Sequence, residues 1–539
     1  MAEIVAAELV QPATPSASCV GTRVDHAPLR ELLAAVLAAV LCDLTLYRGE
    51  GFAGLALLFL LAPALLLLGC SAPRLNRGLG IVAGMILLLS VRLVWLGSVL
   101  GVVAGFFLIV ASAMCLAGQR PYVLDMLAYA LQTSFAGGRG LVCHARAMSQ
   151  PGRRLPRLFW LNVGLPLAAV LVFGALFVLA NPDLVTSFKA WWDRTWHAFS
   201  EFLDDLLPAW TQVLVWIVAV WVTVGLLRPV WKQSLLEPFA ARVRGLSDAS
   251  PTSTASPLYA AIRNVLAAVI ALFAVYLVFE FKTLWFRVFP AGFHYSGYAH
   301  EGAAWLTAAL ALATVTLSAA FRGRILHDPR LPHLRQLAWI WSVENLLLAI
   351  AVFHRMSIYV GFNGMTRMRT VGLFGISAVV VGFLLVVWKI AHRRDFVWLL
   401  QRHLGTVAIA AYLFAMTPVD ALVHAYNVRR ILAGDSAPSV QISVHPISSE
   451  GILVLHPLVH SRDPVIREGI RALLAERAER AENAMQLQIS RGWTATQLAD
   501  RRLVDQLRSI RSDWQPYDAD RTGRREALKR FHAYAYQWY

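Results

Sequence analysis

Charged residues are scarce in this sequence. Asp, Glu, Lys and Arg make up 15% of the 539 residues, whereas about a quarter is usual for a soluble globular protein. Hydrophobic residues make up 58%, and the mean hydropathy is +0.56. This composition excludes an ordinary soluble domain and indicates an integral membrane protein. Because the apolar runs are about 20 residues long, we expect an all-α fold, a polytopic transmembrane helical bundle rather than a barrel.

Cysteine is also rare, and its placement excludes two kinds of site. The five cysteines form no CxxC pair and no spacing typical of metal ligands, so neither a disulfide framework nor a zinc site is indicated. P-loop, nucleophile-elbow, HExxH and dinucleotide-binding glycine patterns are missing from strand-turn-helix contexts, which argues against ATPases, hydrolases, zinc proteases and dehydrogenases. We therefore expect no cofactor and no metal.

Acidic residues are outnumbered by basic ones, 33 against 49, which gives a net charge of +16. In a soluble protein this excess would suggest nucleic acid as a partner. Here the excess arginine lies mainly in short connections between apolar runs, where it sets the direction of membrane insertion. We therefore expect the lipid bilayer, and not nucleic acid, as the partner.

The apolar runs divide the chain into five parts. We predict a disordered N-terminal tail over residues 1–28, four transmembrane helices over 29–118, a basic cytoplasmic loop over 119–157, a core transmembrane bundle over 158–416 and a soluble, mostly helical appendage over 417–539. About eleven spans are expected, at approximately 30–46, 51–70, 78–97, 98–118, 158–180, 210–227, 258–281, 302–321, two within 337–390, and 396–416. An amphipathic stretch at 188–207 is expected to lie along the membrane surface.

The arginines also predict an orientation. We count the alternating spans from a cytosolic N-terminus. This count places the Arg-rich connections on the cytoplasmic side of a bacterial inner membrane and the acidic stretch 188–207 on the outer side. The same count places the connections after spans seven and nine, and the C-terminal appendage, outside. Arg92 lies within the third span, and we expect its side chain to reach the lipid headgroups.

Local patterns in the appendage predict its elements. Val440, Ile442 and Val444 alternate with polar residues, which predicts a strand that pairs with residues 452–455. The pair Asp463-Pro464 predicts the start of a helix. A second amphipathic helix is predicted over residues 494–510.

The densest group of hydrogen-bonding side chains near a span end lies at residues 354–369, a predicted polar turn between spans nine and ten. Guanidinium groups match the geometry of carboxylate and phosphate groups, so its three arginines are candidates for an anion clamp. The candidate binding residues of this turn are His354, Arg355, Tyr359, Arg367 and Arg369.

Two further polar motifs are expected at the same side of the membrane. One enters span eight and the other leaves span eleven, where its members share one helical face. Their acids are candidates for acid or base chemistry, and the histidines here and at position 354 are candidate proton carriers. The alternative is that these charges pair with one another and with headgroups, and so lock the helix ends together. The residues concerned are Tyr298, His300, Glu301, Asp420, His424 and Asn427.

Glu344 lies near the middle of span nine. A carboxyl group at that depth is costly unless it is protonated or paired, so we predict it as a coupling carboxyl. It precedes Arg355 by eleven residues, or three helical turns, so the two residues share a face that can line one path to the outside. The alternative is a satisfied interhelical hydrogen bond.

The three motifs together resemble a known bacterial family. Tyr298-Ala299-His300-Glu301-Gly302, the 355–359 and 364–369 segments, and Asp420 with Tyr426-Asn427-Val428 are similar to the multi-pass membrane family called domain of unknown function 4173, which is related to domain of unknown function 4153. The resemblance covers residues 158 to 435. It implies a polytopic membrane fold and no particular activity.

Three functions are therefore open. The first is binding or transport of a small anionic solute at an outward-facing site. The second is a membrane-embedded transferase that acts on an envelope lipid or polymer, with His300 or His424 beside Glu301 or Asp420. The third is a non-catalytic sensor or scaffold whose appendage recruits a partner. The sequence leaves the substrate and the oligomeric state open.

Overall fold

The computed structural model describes residues 29–148, 189, 191–196, 209–230, 258–285, 295–321, 325, 328–392 and 394–538. Within these ranges the chain forms helices and no strands, which confirms the predicted all-α class. The predicted fifth span at 158–180 lies outside the described residues, as do residues 1–28 and most of the stretch 188–207.

Eleven described helices form the part of the chain before the appendage, and eight of them are long and apolar enough to cross a bilayer: α2, α3, α4, α6, α7, α9, α10 and α11. The apolar part of α8 is shorter, at Ala304–Ser318. The bounds are α1 Leu29–Cys42, α2 Phe52–Gly69, α3 Arg77–Trp95, α4 Val99–Leu116, α5 Val123–Met148, α6 Trp210–Leu227, α7 Tyr259–Glu280, α8 Tyr295–Ala320, α9 Leu331–Asn363, α10 Arg367–His392 and α11 Phe396–Met416. Single π-helical turns, Asp43–Tyr47 and Phe281–Trp285, follow α1 and α7.

Polar side chains cap several of these helices where the apolar runs begin. Asn76 accepts a hydrogen bond from the Leu79 amide at 2.8 Å, and Ser98 accepts one from the Gly101 amide at 3.1 Å. Asp395 caps α11 in the same way. Each cap satisfies an amide of the first turn that has no carbonyl partner within its own helix.

The spans pack into two groups. In the first, α2, α3 and α4 enclose an apolar core that includes Phe59, Ile86 and Leu89. In the second, α7, α8, α9 and α10 pack around Leu310 and Trp341. Helix α11 contacts both groups, since it lies against α10 and also against α4.

The appendage has its own buried apolar cluster, which includes Val440, Leu455, Leu458, Ile466 and Phe531. It docks at the end of the bundle where α9 ends and α10 begins, and we call this end the tail end. The appendage helices are α12 Val419–Leu432, α13 Ser439–Val444, α14 Ser449–Ile452, α15 Pro464–Ser490, α16 Leu498–Ser509, α17 Arg511–Trp514, α18 Pro516–Ala519 and α19 Arg521–Tyr536, with 3₁₀ turns at His456–His460 and Trp493–Ala495.

Some predicted elements differ from the structure. The predicted strand at 440–444 is wrong, because Ser439–Val444 forms a short helix that packs against α9, α12 and α19. Nor does a strand form at 452–455, where α14 ends. The predicted polar turn at 354–369 is mostly helix: α9 continues to Asn363, and only residues 364–366 connect it to α10. The predicted helix start at Asp463-Pro464 is confirmed, since Asp463 accepts from the Val465 amide at 2.8 Å.

Candidate functional site

The three polar motifs meet at the tail end of the bundle. The last turns of α9 lie beside the end of α7 and the start of α8, through Arg355 with Glu280 and Gly302. The connection between α9 and α10 contacts α12 through Asn427. These contacts place the candidate residues of α8, α9, α10 and α12 around one end of the second group of spans.

Arg355 and Glu280 form a buried ion pair inside the bundle. Arg355 Nε donates to Glu280 Oε1 at 2.7 Å, and Nη2 donates to Oε2 at 2.5 Å. The Tyr276 hydroxyl also donates to Oε2, at 2.9 Å. Only 5% of the Arg355 side chain and 1% of the Glu280 side chain are exposed. Arg355 lies eight residues before the end of α9, about 12 Å along the helix, so the pair is below the surface of the tail end.

Helix α8 approaches the same guanidinium with a glycine. A Cβ added to Gly302 would lie 2.1 Å from Arg355 Nη1, so any larger residue here would require the paired guanidinium to move. Tyr298, His300 and Glu301 lie on the first turns of α8, beside Gly302 in the chain. Their side chains lie outside the described part of the structure.

Three buried polar atoms lie deeper on α9. Trp341 Nε1, Glu344 Oε2 and Asn345 Oδ1 have no hydrogen-bond partner among the described residues. Glu344 is eleven residues before Arg355, about 16 Å deeper along the helix. Buried polar groups in native proteins are nearly always satisfied by protein, water or ligand. These three atoms on neighbouring turns of α9 are therefore candidates to hydrogen-bond a water molecule or a ligand within the spans.

Arg367, at the start of α10, pairs with Asp420 at the start of α12. Arg367 Nε donates to Asp420 Oδ1 at 2.6 Å, and Nη2 donates to Oδ2. The Ser448 amide also donates to Oδ2, at 2.8 Å. Burial alone would raise the pKa of Asp420, but the hydrogen bonds from Arg367 and Ser448 outweigh it and hold the pKa below its ordinary value.

His424 lies one turn after Asp420 on α12 and is 3% exposed. Burial lowers its pKa to about 4, against the partial opposition of Asp420. Its Nδ1 atom has no hydrogen-bond partner within the described ranges. His424 is therefore neutral near pH 7 and enclosed by protein, which limits its use as a proton carrier.

The connection between α9 and α10 is held by Asn427. The Asn427 side chain accepts from the Met365 amide at 2.7 Å and donates to the Met365 carbonyl at 2.9 Å. Gly364 adopts a φ of +94°, in the left-handed region that favours glycine. Arg369 closes the end of α9: it donates to the Gly364 carbonyl and to Asn363 Oδ1, and its guanidinium carbon lies 3.7 Å from the centre of the Tyr359 ring.

The candidate clamp arginines thus have separate internal partners. Arg355 binds Glu280, Arg367 binds Asp420, and Arg369 binds the end of α9. His354 lies on α9 with its ring 4.6 Å from that of Trp285. The structure brings these residues to one end of the bundle but gives each guanidinium its own site. Of the three, Arg355 and Arg369 are buried.

Arg92 does not reach the headgroups as expected. Its guanidinium donates to both Glu450 oxygens, at 2.9 and 2.7 Å, and Trp95 Nε1 donates to Glu450 Oε2 at 3.0 Å. Glu450 is 4% exposed. The end of α3 lies against the appendage, which brings the Glu450 carboxylate within hydrogen-bond distance of Arg92. The pair ties α3 of the first group to the appendage.

Sequence reasoning missed Glu280 and Glu450, the partners of these two buried arginines. Glu280 had a usable signal, since it is the acid at the end of an otherwise apolar run and a carboxylate there needs a partner. Glu450 had none, because it lies in a polar segment where an acid is unremarkable.

A cavity of about 540 Å³ lies elsewhere, among α1, α2, α4, α5 and α6. Its walls are almost wholly apolar and include Leu41, Leu66, Phe106 and Val218. It offers few polar groups to orient a solute. Among the described residues, the candidate polar side chains therefore lie at the tail end and not in this cavity.

Comparison with known proteins gives one family match. The model of the family described as Domain of unknown function (DUF4153) matches residues 32–445. The assignment to domain of unknown function 4173 is not confirmed, whereas the relation to 4153 fits. No curated protein and no solved structure matches the chain.

Proposed function

The chain belongs to the family Domain of unknown function (DUF4153), and for this member we propose binding or transport of a small anionic solute at Arg355. The observation that carries the proposal is the buried ion pair between Arg355 and Glu280. A solute with a carboxylate or phosphate group offers the same two oxygens that Glu280 now presents to the guanidinium. In this account the solute takes the place of Glu280.

Stability alone is a weak reason for such a pair. Removing two charges from water costs several kcal/mol per ion, and apolar residues of similar volume often serve a buried position as well. Ionisable groups within spans are rare, and each is a candidate for a solute or ion pathway. The pair also lies only about two turns below the tail end, within reach of a solute that enters there.

Exchange on Arg355 has a consequence for protons. When an anion binds the guanidinium, Glu280 loses its counter-charge in a buried site. The Glu280 carboxylate must then either take up a proton or accept hydrogen bonds from other donors. Tyr276 already donates to it and is the first such donor. Glu344 lies deeper on α9, the helix that carries Arg355, and is a second carboxyl on that helix. We propose the first route, in which Glu280 takes up the proton, so that binding of an anion is accompanied by proton uptake.

The proposal is tested by anion binding to the purified full-length protein in detergent. Inorganic phosphate, succinate and chloride serve as probes, and isothermal titration is the readout. Arg355→Met combined with Glu280→Met should abolish binding, whereas Arg263→Met should not, because Arg263 is an exposed arginine on α7 whose side chain, among the described residues, hydrogen-bonds only to its neighbour Asn264. Anion binding that survives in the double variant contradicts the proposal.

The orientation belongs to the same proposal. If the Arg-rich connections lie on the cytoplasmic side of a bacterial inner membrane, the tail end and the appendage face outward. Reporter fusions after the appendage that are active only in the periplasm or only in the cytoplasm test this. A periplasmic signal supports an outward-facing site, and a cytoplasmic signal places the Arg355 site on the inner side and makes cytosolic anions the relevant solutes.

A second candidate function is a sensor or scaffold, and one observation favours it. The appendage is bound to both groups of spans by charge, through Arg92 with Glu450 and Arg367 with Asp420. A change in either group therefore alters a contact with the appendage. If this is the function, loss of the Arg92–Glu450 pair should alter the packing of the appendage, seen as faster amide hydrogen exchange, and should leave anion binding unchanged.

A further inference from the structure

Two histidines and an aspartate converge on the surface of the appendage. His456 and His460 lie four residues apart in the 3₁₀ turn His456–His460, and Asp513 lies in α17. The Nε2 atom of His456 is 3.0 Å from Asp513 Oδ2. The ligand-type atoms of all three residues lie within 4.8 Å of one another. The cluster therefore joins two segments that are more than 50 residues apart in the chain.

The backbone that carries these side chains is firmly anchored. Leu455, Leu458 and Val459, which flank or separate the two histidines, are 0% exposed. Trp514, next to Asp513, is 5% exposed and donates from Nε1 to the Leu507 carbonyl at 3.1 Å. Buried neighbours on both segments fix the spacing of the three side chains, as a preorganised site requires.

We infer that His456, His460 and Asp513 bind a divalent transition-metal ion, with Zn²⁺ as the best match. Imidazole nitrogens and a carboxylate oxygen are ligands that zinc accepts, at about 2.0–2.2 Å. Two neutral imidazoles and one carboxylate supply one negative charge, which offsets half of the charge of the divalent ion. Three protein ligands leave the fourth tetrahedral position to water or to a group from another molecule.

The distances require one side-chain movement. Ligand atoms on one tetrahedral ion lie about 3.3 Å apart when each is about 2.0–2.1 Å from the metal. His456 Nε2 and Asp513 Oδ2, 3.0 Å apart, are already within about 0.3 Å of that spacing. His460 must turn inward, and its exposed ring leaves it room to do so. Arg511, two residues before Asp513 in the chain, donates to an acid of its own, Asp518, at 2.6 Å, and this pairing offsets its charge.

The metal site is separate from the proposed anion site. It uses none of the residues around Arg355, and it lies beyond residue 445, where the match to the family model ends. The expectation of no metal rested on cysteine spacing and on sequence motifs. That reasoning had no means of finding Asp513, which only the fold brings to the two histidines.

Zinc titration of the full-length protein tests the inference. The protein is purified without a histidine tag, stripped with a chelator and titrated with Zn²⁺ against a competing indicator dye. One ion per chain is expected, and His460→Ala and Asp513→Asn should each weaken binding by at least about tenfold. His532→Ala is the matched control, since His532 is an exposed histidine of the same appendage, and its affinity should equal that of the wild type.

Cobalt gives a second readout that does not depend on folding yield. Co²⁺ in a site with two imidazoles and a carboxylate gives visible absorption bands that are absent from the hydrated ion. These bands should appear in the wild type and in His532→Ala, and disappear in His460→Ala. His460 is the sharpest position because its ring is exposed, so its loss leaves the His456–Asp513 contact in place. Equal zinc stoichiometry and equal cobalt spectra in His460→Ala and the wild type would overturn the inference.

Discussion

Arg355 and Glu280 are 75 residues apart in the chain and share two hydrogen bonds within the bundle. A bidentate pair that is almost wholly buried has a specific energetic signature. Removing one partner leaves an uncompensated charge, whereas removing both leaves only a packing problem. A comparison of single and double variants therefore separates the contribution of the pair to stability from its contribution to solute binding.

We predict that Glu280→Gln lowers the stability of the protein by about 3–5 kcal/mol, because Arg355 is left charged in a buried site. Arg355→Met combined with Glu280→Met should recover most of that loss. Thermal unfolding in detergent, followed by size-exclusion chromatography, measures both. Equal instability of the single and the double variant would mean that packing, not charge, dominates at this position.

Gly302→Ala should weaken anion binding by at least about tenfold, because the added methyl group displaces the guanidinium by a distance that matters for bidentate contact. The clash is with Arg355 Nη1, at 2.1 Å. Gly375→Ala is the control: a Cβ there meets no atom within 4 Å among the described residues, and alanine is the better helix former. Titration with phosphate compares the two. If both variants bind as the wild type does, Gly302 has no part in the site.

Glu450→Gln should loosen the appendage, since Arg92 loses its buried counter-charge at a cost of about 3 kcal/mol. Faster amide hydrogen exchange in residues 445–455 is the expected result. Glu482→Gln is the matched control, because the pair of Glu482 with Arg508 is more than half exposed and such pairs contribute less than about 1 kcal/mol. Unchanged exchange in Glu450→Gln would show that the Arg92 contact does not hold the appendage.

Acid should destabilise the appendage through His424. Its pKa is about 4 in the folded protein and 6.5 ordinarily, so the unfolded chain binds the proton more readily. Stability should therefore fall as the pH drops from 6.5 towards 4, by up to about 3 kcal/mol. Asp420, whose pKa is also held low, adds a loss only at still lower pH, as its carboxylate is protonated.

His424→Gln should flatten this pH dependence, and His532→Gln should leave it unchanged because His532 is exposed. Unfolding midpoints measured at several values between pH 7 and pH 4 give the comparison. An identical slope in His424→Gln and the wild type would assign the acid sensitivity to other groups.

Sequence reasoning succeeded where the cause is local. Apolar runs of membrane length gave the all-α class, and Asp463 before Pro464 marked a helix start because the capping group and the fixed proline φ act within one turn. It failed at 440–444, where Val440, Gln441 and Ile442 are all buried. A short helix that is buried on several sides shows no helical period of apolar residues. Its alternating apolar and polar residues therefore resemble the pattern of a strand.

The site shows the same division. The sequence identified Arg355 as an unusual residue near a span end, because a charge in an apolar segment is visible without a fold. Its partner could not be assigned, since pairing across 75 residues depends on how α7 and α9 pack. Arg92 was expected at the headgroups for the same reason: only the docked appendage brings Glu450 to it.

Anion binding by the Arg355→Met and Glu280→Met double variant tests the central claim most directly. The variant removes both charges together, so it should fold nearly as well as the wild type. We predict that the wild type binds at least one of phosphate, succinate and chloride, with proton uptake measurable in weakly buffered solution, and that the folded double variant binds none. A folded double variant that binds the same anion with unchanged affinity would contradict the account.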